Sequence, residues 1–96
     1  MTFLIYGATG YTGELIAREA KRRGLRPVLA GRSADKLAPL ARELGFEQRV
    51  FGLDRANEVA AQLAGVRVVL HCAGPFSATS APMIEACLLA GVHYLD

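Results

Sequence analysis

The chain has 96 residues, 52% of them apolar, 21% charged and 7% aromatic, which makes one small globular domain and excludes a disordered segment. A formal net charge of +2, from 11 basic and 9 acidic side chains, is no nucleic-acid signature. No apolar run approaches the roughly 20 residues of a bilayer-spanning helix. The opening Met1-Thr2-Phe3 lacks the basic segment of a secretory leader. Cys72 and Cys87 form no CxxC pair, so the reading is a reducing cytoplasm with no zinc site and no disulfide framework.

Short apolar runs alternate with amphipathic stretches along the whole chain. Phe3 to Tyr6 reads as a first strand ending at Gly7, and residues 12–24 as a helix with Gly13, Ile16, Ala17, Ala20 and Gly24 on one face. Leu15 stands apart from that face, beside Tyr11. Val28 to Gly31 is a second strand. Ser33 caps a helix over residues 34–44, which Gly45 stops. Val50 to Leu53 is a third strand and residues 55–64 a third helix. Val66 to Ala73, the most apolar run, suits a central strand buried on both faces. A fourth helix over roughly residues 80–90 leads to a fifth strand, Val92 to Leu95.

This βαβαβαβαβ order demands parallel strands and right-handed connections. The expected fold is α/β, a doubly wound (Rossmann) parallel sheet of five strands in order 3-2-1-4-5 with helices on both faces. Ending at a strand, residues 1–96 read as the N-terminal dinucleotide-binding domain of a longer polypeptide whose substrate domain lies elsewhere.

The first strand-to-helix junction carries Gly7-Ala8-Thr9-Gly10-Tyr11-Thr12-Gly13, a GxxGxxG variant of the dinucleotide fingerprint. Gly7 allows the sharp turn, Gly10 lets backbone approach a pyrophosphate, and Gly13 lets helix and sheet come close. The helix N-terminus offers amides and a positive dipole end, and Thr9 and Thr12 add hydroxyl donors. Three glycines in a tight turn would read the same with no ligand, but their place in an alternating chain favours the nucleotide. A Walker loop is excluded, because no Gly-Lys-Ser/Thr follows.

NAD-binding domains place a carboxylate after the second strand to bond the ribose. Here Gly31-Arg32-Ser33 stands there, with no acid before Asp35. Arg32 suits a 2′-phosphate, with Ser33 and Lys36 adding a hydroxyl and a charge. NADP(H) is therefore preferred over NAD(H). Arg18, Lys21, Arg22 and Arg23 are better read as a solvated helix face. Asp54, at the tip of the third strand, is placed to accept from the adenine amino group, to cap the next helix, or to do both.

After the fourth strand, Ala73, Gly74, Pro75 and Phe76 form the loop across the switch point from the glycine turn. Ala73 and Gly74 let backbone pass near the nicotinamide ribose, Pro75 stiffens the turn, and Phe76 closes the pocket. His71, Cys72, Cys87 and His93 read as structural. No Tyr-x-x-x-Lys pair occurs, so no residue of this chain is assigned to catalysis and none to a metal.

The turn Phe3 to Gly13, then Ala30-Gly31-Arg32, Cys72-Ala73-Gly74-Pro75-Phe76 and Gly91-Val92-His93-Tyr94-Leu95-Asp96, together resemble the saccharopine dehydrogenase NADP-binding domain. The likeness is strongest to its branch of saccharopine-dehydrogenase-like oxidoreductases that includes trans-acting enoyl reductases. The resemblance implies an NADP-dependent oxidoreductase in which a small-molecule substrate and dimer contacts lie in a further domain; this piece alone is expected to be inactive. Two other families share the Gly-Ala-Thr-Gly turn: NmrA-type dinucleotide sensors, and N-acetyl-glutamyl-phosphate reductases, against which the Ala-Gly-Arg and Gly-Pro-Phe segments argue. A plain α/β interaction module would bind no dinucleotide. Leu15 and the fifth-strand edge are candidate sites of homo-oligomer contact.

Overall fold

A computed structural model describes residues 2–74 and 76–96, the side chains of residues 76–78 aside. Pro75 therefore lies outside the described residues. The elements run β1 (Phe3–Tyr6), α1 (Tyr11–Arg22), β2 (Val28–Gly31), α2 (Ala34–Leu44), β3 (Gln48–Val50), α3 (Ala56–Gln62), β4 (Val68–His71), α4 (Phe76–Ala90) and β5 (His93–Leu95). The sheet is parallel, as the alternation requires, and its order is the expected β3-β2-β1-β4-β5.

Alternation along the strands splits the core in two. Ile5 and Leu29 pack on one face under Ala17 of α1 and Leu37, Leu40, Ala41 and Leu44 of α2. Leu4, Tyr6, Val28 and Val69 pack on the other under Val59, Met83, Ala86 and Cys87 of α3 and α4. Small residues let α1 lie close to the sheet, since Gly13, Ala17 and Ala20 form its buried stripe. Arg18 pins α1 to α2 by bonding both Glu14 of its own helix and Glu43 of the other. Such exposed pairs add little stability but fix a relative orientation. Gly45 ends α2 in the left-handed conformation at φ 73°, as a C-terminal stop should.

Several expectations are corrected. The third strand is Gln48–Val50 rather than residues 50–53. There Arg49 reaches across to the Gln62 and Ala64 carbonyls, which holds a polar strand on the sheet edge. The fourth helix begins at Phe76, not near residue 80, and Pro82 lies within it. β4 is not buried on both faces: Val69 and His71 are buried, whereas Val68 and Leu70 are only half-buried. On the α1 side β4 and β5 are only partly covered: Leu70 is half-buried in a hollow shared with Ile16 of α1, and Leu95 is 57% exposed. His93 is exposed and so is not a core residue, whereas Cys72 is half-buried against the α1–α2 core and Cys87 is fully buried. Leu15 is exposed, as its position off the helix stripe implies.

Candidate ligand cleft at the switch point

β1 and β4 are neighbours from which the chain leaves in opposite directions, β1 towards β2 and β4 towards β5. Their carboxyl ends therefore open a crevice. Gly7 turns the chain out of β1 at φ +83°, a backbone conformation that side chains disfavour. A Cβ on Gly7 would stand 2.7 Å from the Ala73 nitrogen, and one on Gly13 would stand 2.2 Å from the Gly7 carbonyl oxygen. Both glycines are required by the protein's own packing.

Gly10 is different. Its φ of −73° suits any residue, and an added Cβ would meet only the Gly7 oxygen at 3.4 Å, an ordinary contact. It is exposed at the N-cap of α1, where no side chain caps the first turn. The amides of that turn are thus left for an outside acceptor. Tyr11 and Thr12 occupy this first turn and are exposed.

A cleft of about 720 Å³ opens beside the turn, lined by Tyr6, Thr9, Arg32, Ser33, Lys36, Leu53, Asp54, Ala73, Gly74 and Thr79. It thus joins Thr9 of the glycine turn, the Arg32–Ser33 pair, Asp54 and the Ala73–Gly74 backbone, which are far apart in sequence. Thr12 faces a separate hollow of about 350 Å³ with Ile16, Leu70, Cys72 and Asp96. Tyr11 faces outward beside Leu15. Phe76 supplies the first residue of α4. The pocket-closing role expected of its side chain, like that of Pro75, concerns groups outside the described residues.

The electrostatics of the cleft are uneven. Arg18, Arg22 and Arg23 are matched by Glu14, Glu19 and Glu43, so most of the basic run on α1 is spent in surface pairs. Arg32 and Lys36, by contrast, line the cleft. Ser33 holds the N-cap position of α2 but makes no side-chain capping bond, so the capping role expected of its hydroxyl is not met. Nor does Asp54 take the N-cap of α3, which falls to Arg55.

Sequence reasoning missed Tyr6 and Thr79. The Tyr6 hydroxyl donates to the Phe51 carbonyl at 2.7 Å and ties β1 to the chain leaving β3. Burial pushes its pKa up to about 12 against the opposing pull of Arg32, with Asp54 adding a small push, so the phenol stays protonated. Thr79 lies a turn inside α4, in a stretch read as loop, which hid it. Among the described residues no cluster of His, Cys, Asp and Glu suits a metal ion, and no helix is long and apolar enough to cross a membrane.

A doubly wound α/β domain with a glycine turn at the switch point and a basic-lipped cleft defines the class of nucleotide-binding domains. Comparison narrows the class. The saccharopine dehydrogenase NADP binding domain family matches residues 3–96, and the chain belongs to it. A trans-acting enoyl reductase of Mycobacterium tuberculosis is 34% identical over 100 residues, covering 97% of this chain and 24% of its own length. The chain thus spans about a quarter of such relatives. Among solved structures, a nucleoside-diphosphate-sugar epimerase from Pseudomonas aeruginosa superposes with a TM-score of 0.80 at 30% identity, over 96% of this chain and 31% of that one. Saccharopine dehydrogenase (L-Glu forming) from Saccharomyces cerevisiae shares the fold, with a TM-score of 0.83 at 14% identity over 97% of this chain and 20% of the other.

Proposed function

We propose that this chain is the NADP(H)-binding domain of an oxidoreductase, and that residues 1–96 are part of a longer polypeptide whose other domain holds a small-molecule substrate. The observation that carries the reading is the meeting of Arg32, Ser33 and Lys36 with Thr9, Ala73 and Gly74 on one cleft at the strands' carboxyl ends. In this reading Gly7, Gly10 and Gly13 shape the turn, and the amides of Tyr11 and Thr12 meet the pyrophosphate. Arg32 and Ser33 hold the 2′-phosphate, Asp54 accepts from the adenine, and Ala73 and Gly74 wall the nicotinamide half. When bound, the nicotinamide supplies or takes up the hydride. This chain's own residues bind and orient it, and none is assigned an acid–base role.

The names of the relatives favour a reductase, and the free thiols of Cys72 and Cys87 favour a reducing cytoplasm. Self-association through Leu15 and the β5 edge belongs to the same proposal, and sedimentation equilibrium over a wide concentration range tests it. The cofactor reading is tested by calorimetric titration of the chain with NADPH and NADH in parallel. Tighter binding of NADPH is expected, and equal affinities would remove the 2′-phosphate assignment.

A further inference from the structure

The backbone of Ala73 is held from two sides. On one side it packs directly on the glycine turn, where no side chain fits between Gly7 and the Ala73 nitrogen. On the other, the Thr79 hydroxyl donates to the Ala73 carbonyl at 2.7 Å. The same hydroxyl lies 2.8 Å from Nε2 of His71. A carbonyl only accepts, so the Thr79 proton points to Ala73 and Nε2 of His71 carries the proton that the hydroxyl accepts. His71 in turn is buried at the end of β4, with its ring stacked on Tyr6.

From this geometry we infer that Thr79 is a positioning residue for the cleft. Up to Cys72 the ladder to β1 fixes the chain, since the Cys72 amide donates to the Tyr6 carbonyl at 2.8 Å. Beyond it the strand pairing ends, and Thr79 supplies the next anchor. It clamps Ala73 between the glycine turn and α4, and so sets the width of the crevice between the two loops that line it. The inference rests on the proposed dinucleotide site. It adds a cleft-lining residue from α4, which belongs to neither the glycine fingerprint nor the basic lip.

The test compares Thr79→Val, which keeps the shape and loses the hydroxyl, with Thr79→Ser, which keeps the hydroxyl. NADPH and NADH affinities are measured by calorimetry, and the Gly7, Ala73 and Gly74 amides and the His71 ring nitrogens are followed by NMR. Thr79→Val is expected to weaken both dinucleotides alike, by about tenfold. It should also shift those amides and change the His71 Nε2 resonance, and Thr79→Ser should restore all of these. If Thr79→Val does not fold, Thr79→Ala removes the same hydroxyl without a steric demand. Wild-type affinity without the hydroxyl, or a serine variant as weak as the valine one, would overturn the role of Thr79 while the cofactor site stands. A wild-type chain that binds neither dinucleotide would overturn the proposed function, and the role of Thr79 with it.

Discussion

Gly13 lies so close to the Gly7 carbonyl that a single methyl on it would stand 2.2 Å from that oxygen. Gly10, midway between them, has no such neighbour. The three glycines of one motif therefore answer to different constraints, and substitution separates them. Gly13→Ala is expected to cost about 3 kcal/mol or more, or to prevent folding, because backbone must move to admit the methyl. Urea denaturation of the variant with a wild-type midpoint would contradict the packing argument.

Gly10→Ala should fold with a loss of about 1 kcal/mol or less. Its dinucleotide affinity should nonetheless fall, by about tenfold if the methyl costs an intruding group's usual 1–3 kcal/mol at the ligand. Circular dichroism and calorimetry on the same sample check both halves. Unchanged affinity would remove the pyrophosphate from this turn.

Arg32→Ala should leave stability almost untouched, since the side chain is exposed. NADPH affinity should drop roughly ten- to hundredfold, the worth of charge-assisted bonds of about 1.5–3 kcal/mol. NADH affinity should change little. An equal loss for both would reassign Arg32 to a general attraction for phosphate.

His71 makes stability depend on pH. Burial pulls its pKa below the ordinary 6.5, more than Asp96 raises it. The unfolded chain therefore binds this proton more readily than the folded one. Stability is fully present above 6.5, declines as pH falls from 6.5 through the lower folded value, and is then flat as far as this group is concerned. Urea midpoints near pH 7.5 and pH 5 should differ in that direction, with the His71 ring titrating below 6.5 by NMR. A His71 midpoint at or above that value would show that the imidazole is not desolvated.

Tyr6→Phe removes one hydroxyl and leaves the ring in the core. The expected cost is about 0.5–1.5 kcal/mol, the net worth of its bond to the Phe51 carbonyl. A stability equal to wild type would mean that water replaces the hydroxyl at that carbonyl.

Much of the architecture was legible because apolar runs and helical faces repeat cleanly from Phe3 to Leu95. Alternation required parallel strands, and the glycine turn after the first strand pointed to the order of a dinucleotide-binding sheet. The misplaced elements have physical reasons. Gln48-Arg49-Val50 is too polar to read as a strand, yet it pairs with β2 while Arg49 fastens it to the end of α3. The first turns of α4 hide behind Gly74-Pro75 and a proline, Pro82, that a helix can hold at some cost. The basic residues of α1 were legible as a surface face set apart from Arg32; the pairing of Arg18 with both Glu14 and Glu43 was not, since Glu43 lies on another helix. Arg32, Ser33, Asp54 and Ala73–Gly74 were recognisable from their places after strands. Thr79 was not, because its partners are a backbone carbonyl and a buried ring that only the fold brings to it.

The partly open side of β4 and β5 has a consequence in handedness. Leftward connections, from β1 to β2 and from β2 to β3, put α1 and α2 on one side of the sheet, and the connections to β4 and β5 put α3 and α4 on the other. Any further parallel strand laid beside β5 by a right-handed connection would send its helix to the α3–α4 side as well. Extending the winding in the same sense therefore never roofs Leu70 and Leu95. A fuller cover for these two side chains would need a part of the architecture that does not follow the winding rule.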